Sequence, residues 1–225
     1  MFDRIIKLIG EDSFNKIQST TVAVVGLGGV GGYVVESLVR SGIQHLILVD
    51  YDQVDITNLN RQIIATQDNI GKHKTEAMTE RIQSISPECE VISLKIKLDE
   101  DNLLELFSYS FDYLVDACDT ILVKELLIKN CLERKIGIIS SMGTGNKLEP
   151  SSLEVADIWK TSYDPIAKRI RKYLKDNKIF AKVPVVYSKE QRKKFTGDIP
   201  SMMFVPATSG LLCANSVIKD IINKN

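Results

Sequence analysis

The glycine-rich turn at residues 26–31 restricts this chain more than any other feature. It reads Gly26-Leu27-Gly28-Gly29-Val30-Gly31, a G-x-G-x-x-G spacing. The valine-rich run Val22-Ala23-Val24-Val25 precedes it and predicts a strand buried on both faces, as in a parallel sheet. Behind the turn, Val34, Val35, Leu38 and Val39 recur at helical spacing until Gly42 ends the segment. A second apolar run, Leu46-Ile47-Leu48-Val49, then leads to Asp50. Val22 to Asp50 is therefore predicted to be a βαβ unit that binds phosphate at its first turn. The glycines allow close backbone approach, and the following helix start offers free N–H groups and partial positive charge. Asp50 falls where a carboxylate accepts hydrogen bonds from ribose hydroxyls. The unit points to a nucleotide without saying which.

Residues 51–62 run Tyr-Asp-Gln-Val-Asp-Ile-Thr-Asn-Leu-Asn-Arg-Gln, a stretch that a plain dinucleotide fold does not need. This polar loop leaves the carboxyl end of a strand, the side on which open α/β sheets bind ligands. Thr66 to Ile85 is predicted to be one long helix, with Gly71-Lys72-His73-Lys74 in its first turns and Pro87 beyond its end. Lysines there oppose the helix dipole, so an anion such as a bound polyphosphate is expected to compensate them. A solvated charged turn is the alternative.

Elsewhere the pattern predicts an N-terminal helix or helix pair over residues 2–18, where Arg4 reads as a surface charge. It predicts a half-buried strand at 91–98, a short helix at 102–107 and a buried strand at 113–115. Asp116-Ala117-Cys118-Asp119 closes that strand. Two carboxylates beside a nucleotide turn suit Mg²⁺, although one of Asp119 and Thr120 is also expected to cap the helix at 120–134. A strand at 136–140 leads into Met142-Gly143-Thr144-Gly145-Asn146-Lys147, a small-residue loop suited to the substrate side. A strand at 183–187, a mobile polar loop at 188–200 and an apolar helix at 205–222 complete the chain.

With 225 residues, 44% of them hydrophobic, the chain is long enough for one α/β domain. Charges already appear within the first four residues, at Asp3 and Arg4, where a signal-peptide core would not carry them, and no apolar run reaches transmembrane length, so a cytoplasmic protein is expected. Cys89, Cys118, Cys131 and Cys213 form no C-x-x-C pair, and His45 and His73 lie far from them, which argues for buried thiols over zinc or disulfides. Net charge is zero. Residues 164–194 are nevertheless strongly basic, with Lys168, Arg169, Arg171, Lys172, Lys175, Lys178, Lys182, Lys189, Arg192, Lys193 and Lys194 against Asp164, Asp176 and Glu190. A solvated face and a phosphate-backbone footprint both account for such a run.

Two chemistries compete for the glycine turn. A nicotinamide dehydrogenase would use Gly26, Gly28, Gly31 and Asp50 and need nothing further. An adenylating enzyme must also hold a bent triphosphate and stabilise the departing pyrophosphate. Asn58, Arg61 and Lys74 supply donors and positive charge for that, and Asp119 a metal ligand. No hydride-transfer acid/base pair is evident, so adenylation is favoured.

GLGGVG, LVDYDQVDITNLNRQ, GKHK and DACD together resemble the E1-like superfamily of ATP-dependent carboxylate-activating enzymes. The resemblance implies a Rossmann-like α/β fold, a mostly parallel sheet flanked by helices, and a homodimer. Within a single domain spanning 1–225, it implies N-terminal helices at 1–20, a nucleotide-binding core at 21–147 and a substrate-side extension at 148–225. It implies that Gly26, Gly28, Gly29 and Gly31 hold phosphates and that Asp50 binds ribose, with Asp52 beside it. It further implies that Asn58, Arg61 and Lys74 contact the triphosphate, that Asp119 binds Mg²⁺, and that Arg4 reaches the phosphates of a partner subunit. SSMGTGNKLEPSSLEVADIWKTSYDPIAKRIRKYLK, VPVVYSKEQ and FVPATSGLL resemble the branch that dehydrates threonylcarbamoyladenosine in tRNA. That implies carboxylate activation by ATP and ring closure by an internal nucleophile. The basic segment, chiefly Lys168, Arg169, Arg171, Lys172 and Lys175, would then grip the anticodon stem-loop. The alternative within the superfamily activates the C-terminal carboxylate of a ubiquitin-like sulfur-carrier protein, and a sulfur-transfer partner is left open.

Overall fold

A computed structural model describes residues 1–191, 196, 197 and 199–224. Two short helices, α1 (Asp3–Ile9) and α2 (Glu11–Ser19), meet at Gly10. The chain then alternates through β1 (Thr21–Val25), α3 (Gly31–Arg40), β2 (His45–Val49), α4 (Lys74–Ile85) and β3 (Glu90–Leu94). Next come α5 (Leu103–Leu106), β4 (Tyr113–Asp116), α6 (Ile121–Arg134) and β5 (Gly137–Ser141). The last part adds β6 (Leu153–Asp157), α7 (Pro165–Asp176), β7 (Pro184–Ser188) and α8 (Phe204–Asn223).

The strands form one seven-stranded sheet in the order β3-β2-β1-β4-β5-β7-β6. Every pairing is parallel except β6 with β7. Side chains of a strand alternate between faces, and β1 feeds two cores accordingly. Val22 and Val24 pack with α3, α4 and α8 residues such as Val34, Met78 and Val217. Ala23 and Val25 join Leu127 and Ile128 of α6 and Ile170 and Leu174 of α7 on the other face. This is the predicted α/β class, with helices on both faces of a mostly parallel sheet. After β1 the chain builds outward through β2 and β3, then crosses back to place β4 on the other side of β1. The crevice at the carboxyl ends of β1 and β4 is the topological switch point at which such sheets bind ligands.

Several local expectations are corrected. No single helix spans Thr66–Ile85; α4 begins at Lys74. Gly71, at φ +86°, breaks the backbone, and its N–H donates to Val54 O while Val54 N–H donates to Lys72 O. The segment is thus committed to a hairpin with residues 53–54 and cannot stay helical. The strand expected at 91–98 stops at Leu94, which pairs with Val49, the last residue of β2. Beyond that no neighbouring strand remains to bond. β5 is shifted by one residue to Gly137–Ser141. Thr120 occupies the N-cap of α6, but neither it nor Asp119 makes a side-chain cap bond. β6, an edge strand, is not among the elements expected from the sequence. Of the polar loop expected at 188–200, Ser188 belongs to β7. Residues 192–195 and 198, with the cationic side chains of Arg192, Lys193 and Lys194, lie outside the described residues.

Candidate active site

A cavity of about 430 Å³ opens at the switch point. Its floor is the glycine turn. Gly26 adopts φ +88°, and a Cβ there would come within 2.8 Å of Ala117 O. The loop after β1 can therefore pass under the loop after β4 only if residue 26 lacks a side chain. A Cβ on Gly28 would meet only Gln62 Nε2, at 3.8 Å, so this position faces open space. Gly29 also lines the cavity. Gly31 does not; it opens α3 against the Gly26 carbonyl.

Asp50, at the end of β2, is buried. Its Oδ2 accepts from Leu27 N–H at 2.6 Å and its Oδ1 from Asp52 N–H at 2.8 Å. The carboxylate thus fastens the glycine turn to the loop that follows β2. Burial holds its pKa above the ordinary carboxylate value, with the nearby Lys74 charge opposing. Asn58 is buried in a short 3-10 turn whose capping box it closes with Asp55: Asp55 N–H donates to Asn58 Oδ1 at 3.1 Å. Arg61 donates from Nη1 to Thr57 O and Asn60 Oδ1 at 3.0 and 2.8 Å. Lys74, the first residue of α4, places its ammonium 2.7 Å from Asp52 Oδ2. The compensating anion expected for this lysine is thus supplied within the chain by Asp52. Asp50, Asp52, Asn58, Arg61 and Lys74 all line the cavity.

Across from them stands the loop after β4. The paired-carboxylate reading of Asp116 and Asp119 is corrected here. Asp116 is fully buried and accepts from Lys124 Nζ, Ser140 Oγ and Cys118 N–H. It is committed to the fold. Asp119 is exposed at the cavity wall and makes no ion pair among the described residues. A lone exposed carboxylate is a hard oxygen donor of the kind Mg²⁺ accepts, alongside phosphate oxygens, so the site fits that ion. Among the described residues no group of three or more His, Cys, Asp or Glu side chains could hold a metal by itself.

Some expected residues lie elsewhere. Arg4 sits on α1, which has no buried residue, and it does not line its own chain's cavity. His45 is at the amino edge of the sheet, 3.2 Å from Glu90, away from the cavity. Lys168, Arg169, Lys172 and Lys175 are exposed along α7, whose first turn supplies Ile166 to the cavity wall. Arg169 approaches Glu125 at 3.6 Å. Arg171 differs from the rest: its Nη1 donates to Ile158 O, Thr161 O and Thr161 Oγ1. That ties α7 to the preceding turn, a structural task that competes with a nucleic-acid contact.

Two cavity residues are not singled out by the sequence pattern. Gln62, beside Arg61, has a buried Oε1 without a hydrogen-bond partner among the described residues, which a bound donor would satisfy. The proximity of Gln62 to Arg61 was the available signal. Lys124 lies on the buried face of α6 with Val123, Leu127 and Ile128, and helical spacing alone could have marked it.

The sequence pattern of the ThiF family matches residues 2–224. The tRNA threonylcarbamoyladenosine dehydratase of Bacillus subtilis is 41% identical over 239 aligned residues, taking in 98% of this chain and 94% of that protein. The protein of the same name from Haemophilus influenzae is 34% identical, covering 99% and 83% respectively. Among solved structures, Escherichia coli tRNA N6-threonylcarbamoyladenosine dehydratase, TcdA, in complex with ATP has a TM-score of 0.91 at 33% identity, with 98% of this chain and 93% of that one covered.

Proposed function

The chain belongs to the ThiF family, and on that premise we propose that it is an ATP-dependent tRNA threonylcarbamoyladenosine dehydratase. One observation carries the reading: a single cavity has an open glycine cradle and two cations on one wall and an exposed carboxylate and a small-residue loop on the other.

In this reaction the substrate carboxylate attacks the α-phosphorus of ATP and pyrophosphate leaves. A nitrogen or oxygen of the same substituent then attacks the acyl carbon, a ring closes and AMP departs, for a net loss of one water. No enzyme nucleophile is needed, because the attacking group is already tethered to the acyl carbon. Gly26, Gly28 and Gly29 accept the phosphates close to the backbone, and Gly31 opens the helix whose N–H groups face them. Arg61 and Lys74 offset charge developing on the pyrophosphate, Asn58 holds the loop that carries Arg61, and Asp50 and Asp52 form the ribose side. Asp119 would hold Mg²⁺, which when bound neutralises phosphate charge.

The exposed face of α7 carries Lys168, Arg169, Lys172 and Lys175, none of which lines the cavity, and we assign it the phosphates of the anticodon stem-loop. A reaction on ATP and tRNA supports a cytoplasmic enzyme; no described helix is long and apolar enough to cross a membrane. We divide the single domain into N-terminal helices (1–20), nucleotide core (21–147) and tRNA-side extension (148–225). The chemistry needs no sulfur-transfer partner, and such a protein would be an addition to it.

The test is AMP release from ATP, Mg²⁺ and tRNA carrying the modified nucleoside, with mass spectrometry of the digested nucleosides. Loss of one water is expected. Pyrophosphate exchange that depends on a carrier protein and ignores tRNA would select the carrier-activating alternative. Asp119→Asn should fold normally and need more Mg²⁺ for half-maximal rate; an unchanged Mg²⁺ requirement would remove Asp119 from the metal site.

A homodimer completes the site in this reading. Helix α1 has no buried residue, Leu8 on it is 82% exposed, and Arg4 makes no ion pair among the described residues. These features suit a helix covered by a second copy, with Arg4 entering the partner's cavity. Mixing inactive Arg4→Ala and Lys74→Ala enzymes should restore activity, because a mixed dimer holds one intact site. No recovery, or a monomer by light scattering, would reject the arrangement.

A further inference from the structure

Lys124 is a fully buried lysine at the base of the cavity. Its side chain is 1% exposed and that of its partner Asp116 is 0% exposed. The ammonium donates to Asp116 Oδ1 at 3.0 Å and to the Ser141 carbonyl at 2.8 Å. Asp116 is the last residue of β4 and Ser141 the last of β5, and Asp116 and Ser140 are register partners. Ser140 Oγ closes the link by donating to Asp116 Oδ2. Ser141 Oγ lies 2.8 Å from Ser209 Oγ, which joins α8 to the same network.

Thus one side chain on α6 binds the carboxyl ends of two adjacent strands. The loops leaving those ends, 117–120 and 142–145, form one wall of the cavity. The other wall comes from β1, β2 and α4 through Gly28, Asp50, Arg61 and Lys74, and none of these hydrogen-bonds to Lys124. A buried ion pair is weak evidence for stability, since apolar residues of similar size often replace one without loss. Its place between the two loops gives it another use.

We propose that Lys124 is a positioning residue: it sets the loops after β4 and β5 so that the modified adenosine's carboxylate meets the nucleotide in line. The proposal rests on the dehydratase reading above and adds a division of labour. The β1–β2 wall grips the phosphates and ribose of ATP, and Asp119 reaches their Mg²⁺ from the opposite loop. Lys124 governs where that opposite wall presents the acceptor, so ATP affinity is compared without Mg²⁺.

The experiment compares the full-length wild type with Lys124→Arg, Lys124→Met and the double variant Asp116→Asn/Lys124→Met, which removes both charges together. Thermal melting, ATP affinity by calorimetry, and kcat and KM for tRNA-dependent AMP release are measured for each. The double variant should melt close to the wild type and bind ATP within about twofold, while kcat falls on the order of 100-fold, as expected for misplaced reacting groups. Lys124→Arg, which keeps the charge and the donors, should recover part of that loss. A double variant with wild-type kcat would overturn the proposal, as would ATP affinity falling in step with kcat. Should the double variant not fold, Lys124→Arg decides: lowered kcat at unchanged melting and ATP affinity supports the role, and unchanged kcat refutes it. Absence of tRNA-dependent AMP release by the wild type would refute the dehydratase reading itself, whereas equal activity of wild type and variants refutes only the role of Lys124.

Discussion

Lys74 and Asp52 are joined twice at the cavity mouth. The ammonium lies 2.7 Å from Asp52 Oδ2, and the Lys74 N–H donates to the Asp52 carbonyl at 2.9 Å. The lysine that begins α4 is thereby anchored to the loop that follows β2, with its charge turned into the cavity. In the proposed reaction, arriving phosphates would compete with Asp52 for that charge.

Removal of the ammonium should be costly. Lys74→Ala is expected to lower kcat by about 10²–10³, the usual loss when one donor to developing charge is removed. Asp52→Asn keeps the backbone link and is expected to lower it by no more than about tenfold. Steady-state AMP release measures both, and equal losses would mean that Asp52 itself touches the reacting groups.

Two glycines of the same turn should fail in different ways. A Cβ at residue 31 would lie 1.7 Å from Gly26 O, whereas one at residue 28 has 3.8 Å of clearance to Gln62 Nε2. Gly31→Ala should therefore abolish the fold, seen as lost thermal cooperativity. Gly28→Ala should melt like the wild type but bind ATP at least about tenfold more weakly, since the methyl group fills space meant for phosphate. Normal ATP binding by Gly28→Ala would place the phosphates elsewhere.

Cations on α7 should divide by exposure. Lys168→Glu/Lys172→Glu should weaken tRNA binding and reduce the slope of log affinity against log salt by about 2, one for each phosphate deprived of its cation. Arg171→Ala should lower the melting temperature, because its guanidinium holds Ile158 and Thr161, and leave the salt slope nearly unchanged. Filter binding across a salt series separates the two outcomes.

Alkali should destabilise the fold through buried thiols. Burial pushes Cys89 up to about 11 and Cys131 and Cys213 up to about 12, from an ordinary value of 9.0. Raised folded pKa values favour the folded state fully below the unfolded value. That advantage is lost as pH climbs from about 9 through the folded values, at about 1.4 kcal/mol per pH unit for each thiol the unfolded chain ionises first. Melting temperature should hold steady up to about pH 8.5 and then decline. Calorimetry across this range checks the trend, and a flat profile to pH 11 would contradict the burial of these thiols.

Much of the site is legible in the order of residues alone. The βαβ unit is readable because a strand buried on both faces, a glycine turn and an amphipathic helix each leave a local pattern. Gly26, Gly28, Gly29, Asp50, Asn58, Arg61 and Lys74 stand out by their positions beyond strand ends. The helix boundary at Lys74 is not legible, because residues 71–72 are drawn into a hairpin by backbone bonds to Val54. Strand β6 is hidden because it is an edge strand with no fully buried residue, so it lacks the apolar run that marks the central strands.

The sequence by itself determined the class of fold and the kind of ligand, because glycine spacing, hydrophobic period and the polar loop after Asp50 are local properties. Only the tertiary structure decided which of two carboxylates is free. Asp116 and Asp119 look alike in sequence, yet Lys124, from the next helix, claims Asp116 while Asp119 stays open to solvent. It also set Arg171 apart from the neighbouring cations, because the Ile158 and Thr161 carbonyls reach that one guanidinium. The physical reason is the same in both cases: a buried charge must find a partner, and the partner is chosen by packing rather than by spacing along the chain.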